Sequence, residues 1–174
     1  MNEVVVFKPR RSRGWVSLLL LALAVLLCTL PVLVAAAVGE VPWWVGLLMG
    51  FMTLGLGVPF LALAFWFPTM RYELDAGALT LRYGPVLTYR IPLDEVQAIE
   101  RRDLSISAWS SVRLPGLALF AVPYRDLGQV KMCATAASKG ILLIETAEEM
   151  YGITPADERG LVAALEARRR RGDL

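Results

Sequence analysis

Three pairs of adjacent acids, Asp94-Glu95, Glu148-Glu149 and Asp157-Glu158, and three arginines around one indole, Arg101, Arg102, Trp109 and Arg113, are the residues whose type and spacing could do chemistry. Adjacent carboxylates can divide general-acid and general-base roles. These pairs, however, fall at expected turns or at a helix start, where exposed acids are ordinary. The chain contains no histidine, which removes the commonest general base and metal ligand. Ser-His and Cys-His nucleophile pairs are thereby excluded, and a zinc site would have to be built from one cysteine and carboxylates. Cys28 falls in an apolar run and Cys133 in the polar-surfaced part, so both read as packing residues. No Walker pattern and no Gly-x-Gly-x-x-Gly before a helix occurs outside the apolar runs. No catalytic residue, cofactor or metal is therefore expected, and an enzyme is the function class the residues support least.

The arginines and Trp109 flank the least regular stretch, 103–116. An aromatic with three guanidiniums suits a membrane surface or a protein partner. The plainer account is that Trp109 fills the core and the arginines are solvated. With a formal charge of +2 over 174 residues, the chain as a whole calls for no polyanionic partner, nucleic acid included.

The element that must position everything else is apolar. Two uncharged runs, Gly14 to Gly39 and Val41 to Met70, are interrupted by the single acid Glu40. A bilayer core needs roughly 20 apolar helical residues, and backbone in hydrocarbon must satisfy its own hydrogen bonds. The runs therefore predict two transmembrane helices, near 15–38 and 43–67, forming a hairpin over 14–70. A cleaved signal has an apolar core of only about 7 to 15 residues, and a buried soluble hairpin would carry polar positions at helical spacing on one face. Neither pattern is present. Mean hydropathy of +0.54 agrees with a chain partly committed to lipid.

Lys8, Arg10, Arg11 and Arg13 precede the first run, and Arg71 and Arg82 follow the second. By the positive-inside rule this predicts a multi-pass protein of the cell membrane with both termini cytoplasmic. Trp15, Trp43, Trp44 and Trp66 fall near the predicted helix ends, where indole rings favour the headgroup level. Gly46 and Gly50 give a Gly-x-x-x-Gly spacing that lets helices approach, either within the hairpin or between copies. Pro31 and Pro59 each remove one helical hydrogen bond and predict kinks. The basic arm, 1–13, has anionic headgroups as its natural neighbours. Its β-branched run at 3–7 reads equally as a strand or as a disordered terminus.

From Arg71 the texture changes to short period-2 segments with frequent turn signals. Asp75-Ala76-Gly77 marks a hairpin turn, and later runs at 86–91, 96–101, 117–122, 128–135, 140–146 and 150–153 read as strands. About seven strands in roughly 80 residues predict a sandwich or a partly open barrel. The domain, 71–174, closes with a helix near 155–170. Its expected start is a Thr154 N-cap, Pro155 at the first position and Asp157 at the third. Leu161, Val162, Ala164 and Leu165 give it one apolar stripe.

Three segments of the closing half, 127–135, 141–146 and Tyr151-Gly152-Ile153-Thr154-Pro155, together with 91–96 and Leu114-Pro115-Gly116, resemble the bacterial pleckstrin-homology-like (PH-like) proteins that carry an N-terminal transmembrane hairpin. The resemblance spans roughly Tyr72 to Leu165. It implies a seven-stranded PH-like barrel or sandwich capped by a C-terminal helix, a fold that hosts lipid, peptide and protein recognition. Phosphoinositide-binding members cluster Lys and Arg around the loop between the first two strands. This chain has Asp75-Ala76-Gly77-Ala78 there, so no inositol-phosphate pocket is expected. The expectation is a membrane-anchored binding or scaffold module on the cytoplasmic face, recruiting a protein partner or touching the bilayer. A small accessory subunit, assembled into a larger complex through the hairpin, is the alternative.

Overall fold

The computed structural model describes residues 4–105 and 113–172. The chain divides into two compact units, Gly14–Phe67 and a second made of Met1–Arg13 with Pro68–Leu174.

The first unit is a helical hairpin. Its first helix, α1 (Gly14–Ala37), is followed by α2 (Trp43–Met52), a π-helical turn (Thr53–Gly57) and α3 (Val58–Trp66). Gly39, at φ +82°, ends the first arm, with its own N–H and that of Glu40 meeting the Ala36 and Ala35 carbonyls; the left-handed conformation there is one glycine adopts without cost. Pro31 sits inside a continuous α1. Pro59 behaves differently. It has no N–H for the Gly55 carbonyl and would crowd it, and the helix widens to π geometry over the turn that contains Gly55.

Gly46 packs so closely on α1 that a Cβ there would lie 2.7 Å from Ala36 Cβ, whereas one on Gly50 would lie 3.9 Å from Leu33 Cδ2. Threonines link the pair: Thr29 Oγ1 donates to the Val25 carbonyl at 2.8 Å, and Thr53 Oγ1 lies 2.8 Å from Thr29 Oγ1 and 2.9 Å from the Met49 carbonyl. Both stretches, Gly14–Ala37 and Trp43–Thr69, are long and apolar enough to cross a membrane.

The second unit is β-rich. Its strands are β1 (Val5–Phe7), β2 (Arg71–Leu74), β3 (Ala78–Tyr83), β4 (Leu87–Pro92), β5 (Val96–Arg102), β6 (Arg113–Leu114), β7 (Leu117–Tyr124), β8 (Gly128–Ala134), β9 (Ile141–Thr146) and β10 (Met150–Ile153), followed by helix α4 (Glu158–Gly172). They form two sheets, ordered β1-β2-β3-β4 and β5-β9-β10-β8-β7-β6. Of the expected seven-stranded barrel or sandwich, this corrects the single barrel and the strand count: the described residues carry ten strands, divided between two sheets. The basic arm supplies one of the extra strands, β6 is a two-residue piece, and β10 slots between β9 and β8, pairing in parallel with β8.

The choice left open for the N-terminal run is decided by pairing. Val5, Val6 and Phe7 lie opposite Leu74, Glu73 and Tyr72 in an antiparallel register. The arm then continues along the domain: Ala156 N–H donates to the Lys8 carbonyl at 2.9 Å, and Arg10 N–H donates to the Thr154 carbonyl at 2.7 Å. Ser12 Oγ donates to the Gly116 carbonyl at 2.5 Å.

Tyr72, Leu74, Leu79, Leu81 and Ile91 of the first sheet and Leu117, Leu119 and Ile144 of the second are fully buried. Period-2 alternation sends Ala118, Val122, Val130, Met132 and Leu143 to the opposite face of the second sheet, where they form a further buried cluster with Leu104. Strands β8 and β9 are thus apolar on both faces over 132–134 and 141–144, which is why those residues read as continuous rather than alternating hydrophobic runs. Gly152 suits this density, since a Cβ there would run into the Met132 thioether and lie 3.3 Å from Ile141 Cγ2.

Helix α4 starts later than expected. Asp157, not Thr154, is its N-cap, with Oδ1 accepting Gly160 N–H at 2.9 Å, a contact worth about 1 kcal/mol. Thr154 is fully buried, and its Oγ1 accepts Thr135 N–H at 2.8 Å and lies 2.9 Å from Thr135 Oγ1. Pro155 is held in a bridge to Pro9. Leu161 and Leu165 supply the buried stripe.

Candidate functional site

Of the four residues read as a surface cluster, the structure separates two. Arg101 and Arg102 are neighbours on β5, so they project to opposite faces of the sheet. Arg102 lines a hollow of about 310 Å³ with Glu100, Leu127, Leu143, Glu145 and Met150. Arg101 lies on the other side, its Nη1 3.6 Å from Glu158 Oε2. Arg113 pairs through β6 with Ala118, and Trp109 lies outside the described residues.

What Arg101 meets instead is the N-terminal arm. Gly140 is buried at the start of β9 with φ +61°. A Cβ built on it would lie 3.2 Å from Arg10 Nη1 and 3.3 Å from Arg101 Nη2. Two exposed guanidiniums therefore converge over one glycine, which the backbone conformation and the crowding both favour. Gly140 N–H is committed to Asp103 Oδ1 at 2.6 Å. Arg10 was legible in the sequence only as part of the charge cluster before the first apolar run. Its approach to Arg101 depends on β1 pairing with β2, which no local pattern encodes.

The turn between β2 and β3 is built around an acid. Asp75 Oδ1 accepts Gly77 N–H at 2.8 Å and Ala78 N–H at 2.7 Å. These bonds, the one from Gly77 foremost, hold its carboxyl below the usual range, helped by Arg90 and Arg168. Arg168 of α4 also donates to the Leu74 and Asp75 carbonyls, so one of the positive charges beside this turn is used to brace it.

A second polar group sits where β8 and β10 run side by side. Lys131 pairs with Glu149 and stands 5.6 Å and 5.8 Å from the ring centroids of Tyr89 and Tyr151. Tyr151 Oη donates to Glu149 Oε2 at 2.5 Å. The Lys131 bond, then the Tyr151 bond, lowers the Glu149 pKa, while burial first and Glu149 second raise that of Tyr151. This is a self-satisfied cluster. Burial pushes the Cys133 thiol up to about 12, which keeps it protonated and unreactive. Among the described residues no three His, Cys, Asp or Glu side chains gather where they could hold a metal.

In the hairpin, Trp15 stands in the first turn of α1, Trp43 and Trp44 open α2, and Trp66 closes α3. All four thus lie at helix ends. Gly46 is taken up in packing against Ala36, whereas a Cβ added at Gly50 would make only an ordinary contact with Leu33.

Two sheets followed by a C-terminal helix make a PH-like fold. The family model for the bacterial PH domain matches residues 70–169, and the chain belongs to that family. No curated protein and no solved structure matches it.

Proposed function

We propose that this protein is a membrane-anchored PH-like scaffold module, held on the cytoplasmic face by its helical hairpin, where it recruits a protein partner or contacts the bilayer surface. The observation that carries the reading is the pairing of β1 with β2. The chain leaves one compact unit to make the hairpin and returns to the same unit, so two crossings bring it back to the side it left. Basic residues on both flanks favour the cytoplasm for that side. The outward surface of the helices supports lipid as their solvent. Leu27, Leu47, Phe51, Leu54 and Phe65 are all at least 64% exposed, and an apolar surface of that extent is rare on a soluble monomer.

The test uses the full chain in native membranes. It should stay in the membrane fraction after carbonate extraction, and a reporter fused after Leu174 should be active inside the cell. Cross-linking with mass spectrometry should then capture a partner on the β-rich unit. Release by carbonate, or a reporter active only outside, overturns the reading.

A further inference from the structure

We propose that Arg10 and Arg101 form a binding site for a phosphate-class oxyanion on the rim of the β-rich unit, separate from the loop between β2 and β3. Like charges near one another repel by about 1 kcal/mol even in a water-like dielectric at 4 Å, so two guanidiniums over one glycine call for a counter-charge. The acids at hand supply it incompletely. Glu158 meets Arg101 only loosely, with 3.6 Å between Oε2 and Nη1, while Arg101 Nη2 lies over Gly140, as does the Arg10 guanidinium. Asp103 is engaged by Gly140 N–H and makes no ion pair with either arginine, and Arg10 has no acidic partner among the described residues. The residue beneath is a glycine, so no side chain fills the point on which the two converge.

A tetrahedral oxyanion matches this arrangement. Each guanidinium offers a planar fork of N–H donors that fits phosphate oxygens two at a time, and a phosphate carries enough oxygens to engage two forks at once. The arm is fixed on both sides of Arg10 by the bonds from its own N–H to Thr154 and from Ser12 to Gly116, which lowers the entropy lost on binding. Arg10 also stands four residues before α1. A lipid headgroup is therefore one source of the anion and a soluble phosphate the other. Only the lipid source rests on the membrane reading.

The test is the isotopically labelled full chain in nonionic maltoside micelles, titrated with inorganic phosphate against chloride at matched ionic strength. In parallel, the chain is placed in nanodiscs of phosphatidylcholine with or without phosphatidylglycerol. The Gly140 amide and Arg101 side-chain resonances should move saturably. Arg10→Gln and Arg101→Gln should each weaken the response at least tenfold, and Arg102→Gln, on the opposite face, should not. Movement with inorganic phosphate alone assigns a soluble ligand, and movement with phosphatidylglycerol alone assigns the headgroup. The absence of saturable movement in both arms overturns the site, as does a wild-type response from Arg10→Gln or a loss in Arg102→Gln equal to that in Arg101→Gln.

Discussion

Tyr72 Oη donates to the Cys133 carbonyl at 2.8 Å, and the same oxygen lies 3.3 Å from Thr154 N–H. One phenol thus joins the first sheet, the second sheet and the corner before α4. The group is fully buried, and burial is the main reason its pKa is raised far above that of a free tyrosine. Tyr72→Phe keeps the ring and removes the oxygen. A buried group left without its partner costs about 1–3 kcal/mol, and each kcal/mol lowers Tm by roughly 2–4 °C in a chain of this length. Thermal unfolding of the full chain in detergent, followed by circular dichroism in the β region, should show that fall. A Tm within a degree of wild type would mean that the phenol does not join the sheets.

Glu149 sets a pH dependence whose sign follows from its partners. Lys131 and Tyr151 bond its carboxylate, so its folded pKa lies below its unfolded value. The stabilisation is full above the unfolded pKa, near the usual glutamate range, and is lost as pH falls through the folded value. Both members of the pair are partly exposed, so the contribution is about 1 kcal/mol or less. In urea titrations from pH 7 down to pH 3, Glu149→Gln should start lower than wild type and lose less on acidification. Parallel curves would assign the acid sensitivity elsewhere, with Asp75 the next group to substitute.

Much of this architecture can be read from residue order, and the parts that cannot share one cause. The two apolar runs, the Asp75 turn and the apolar stripe of α4 are local patterns. The Asp157 cap was misplaced by three residues because Thr154 is also a good cap residue. Its hydroxyl is drawn away by Thr135, 19 positions earlier, and nothing near Thr154 in the chain signals that. The division into two sheets, the insertion of β10 beside β8 and the meeting of Arg10 with Arg101 all depend on long-range pairing. For Arg101 and Arg102, alternation along β5 was legible in principle. Their adjacency in sequence suggested a patch, and a strand turns such neighbours to opposite faces.

Gly46 and Gly55 should respond oppositely to the same substitution. A side chain at Gly46 meets Ala36 at 2.7 Å, below any real contact, while one at Gly55 meets nothing within 4 Å. Small residues at helix contacts are what allow close packing in lipid. Gly46→Leu should therefore splay the hairpin and Gly55→Leu should not. Disulfide trapping between cysteines placed at Leu33 and Gly50, where a Cβ on the glycine would come within 3.9 Å of the Leu33 side chain, should be slowed at least tenfold in the first background and unchanged in the second. Equal trapping in both would place the closeness of Gly46 to α1 in doubt.

The first strand should protect the second. Residue for residue, Val5–Phe7 covers Leu74–Tyr72, and β1 is the outermost strand of its sheet. Without it, the outer N–H and C=O groups of β2 lose their partners and become an open edge. Deleting residues 2–7 leaves the Arg10 and Ser12 contacts in place, so the change should be local. Hydrogen exchange read by mass spectrometry should accelerate at least tenfold over Arg71–Leu74, with β8 and β9, buried on both faces, unchanged. Faster exchange throughout the unit would make β1 part of the global fold. Unchanged exchange at β2 would mean that the arm adds nothing to the sheet, and the closure of the hairpin through β1 and β2 would lose its physical basis.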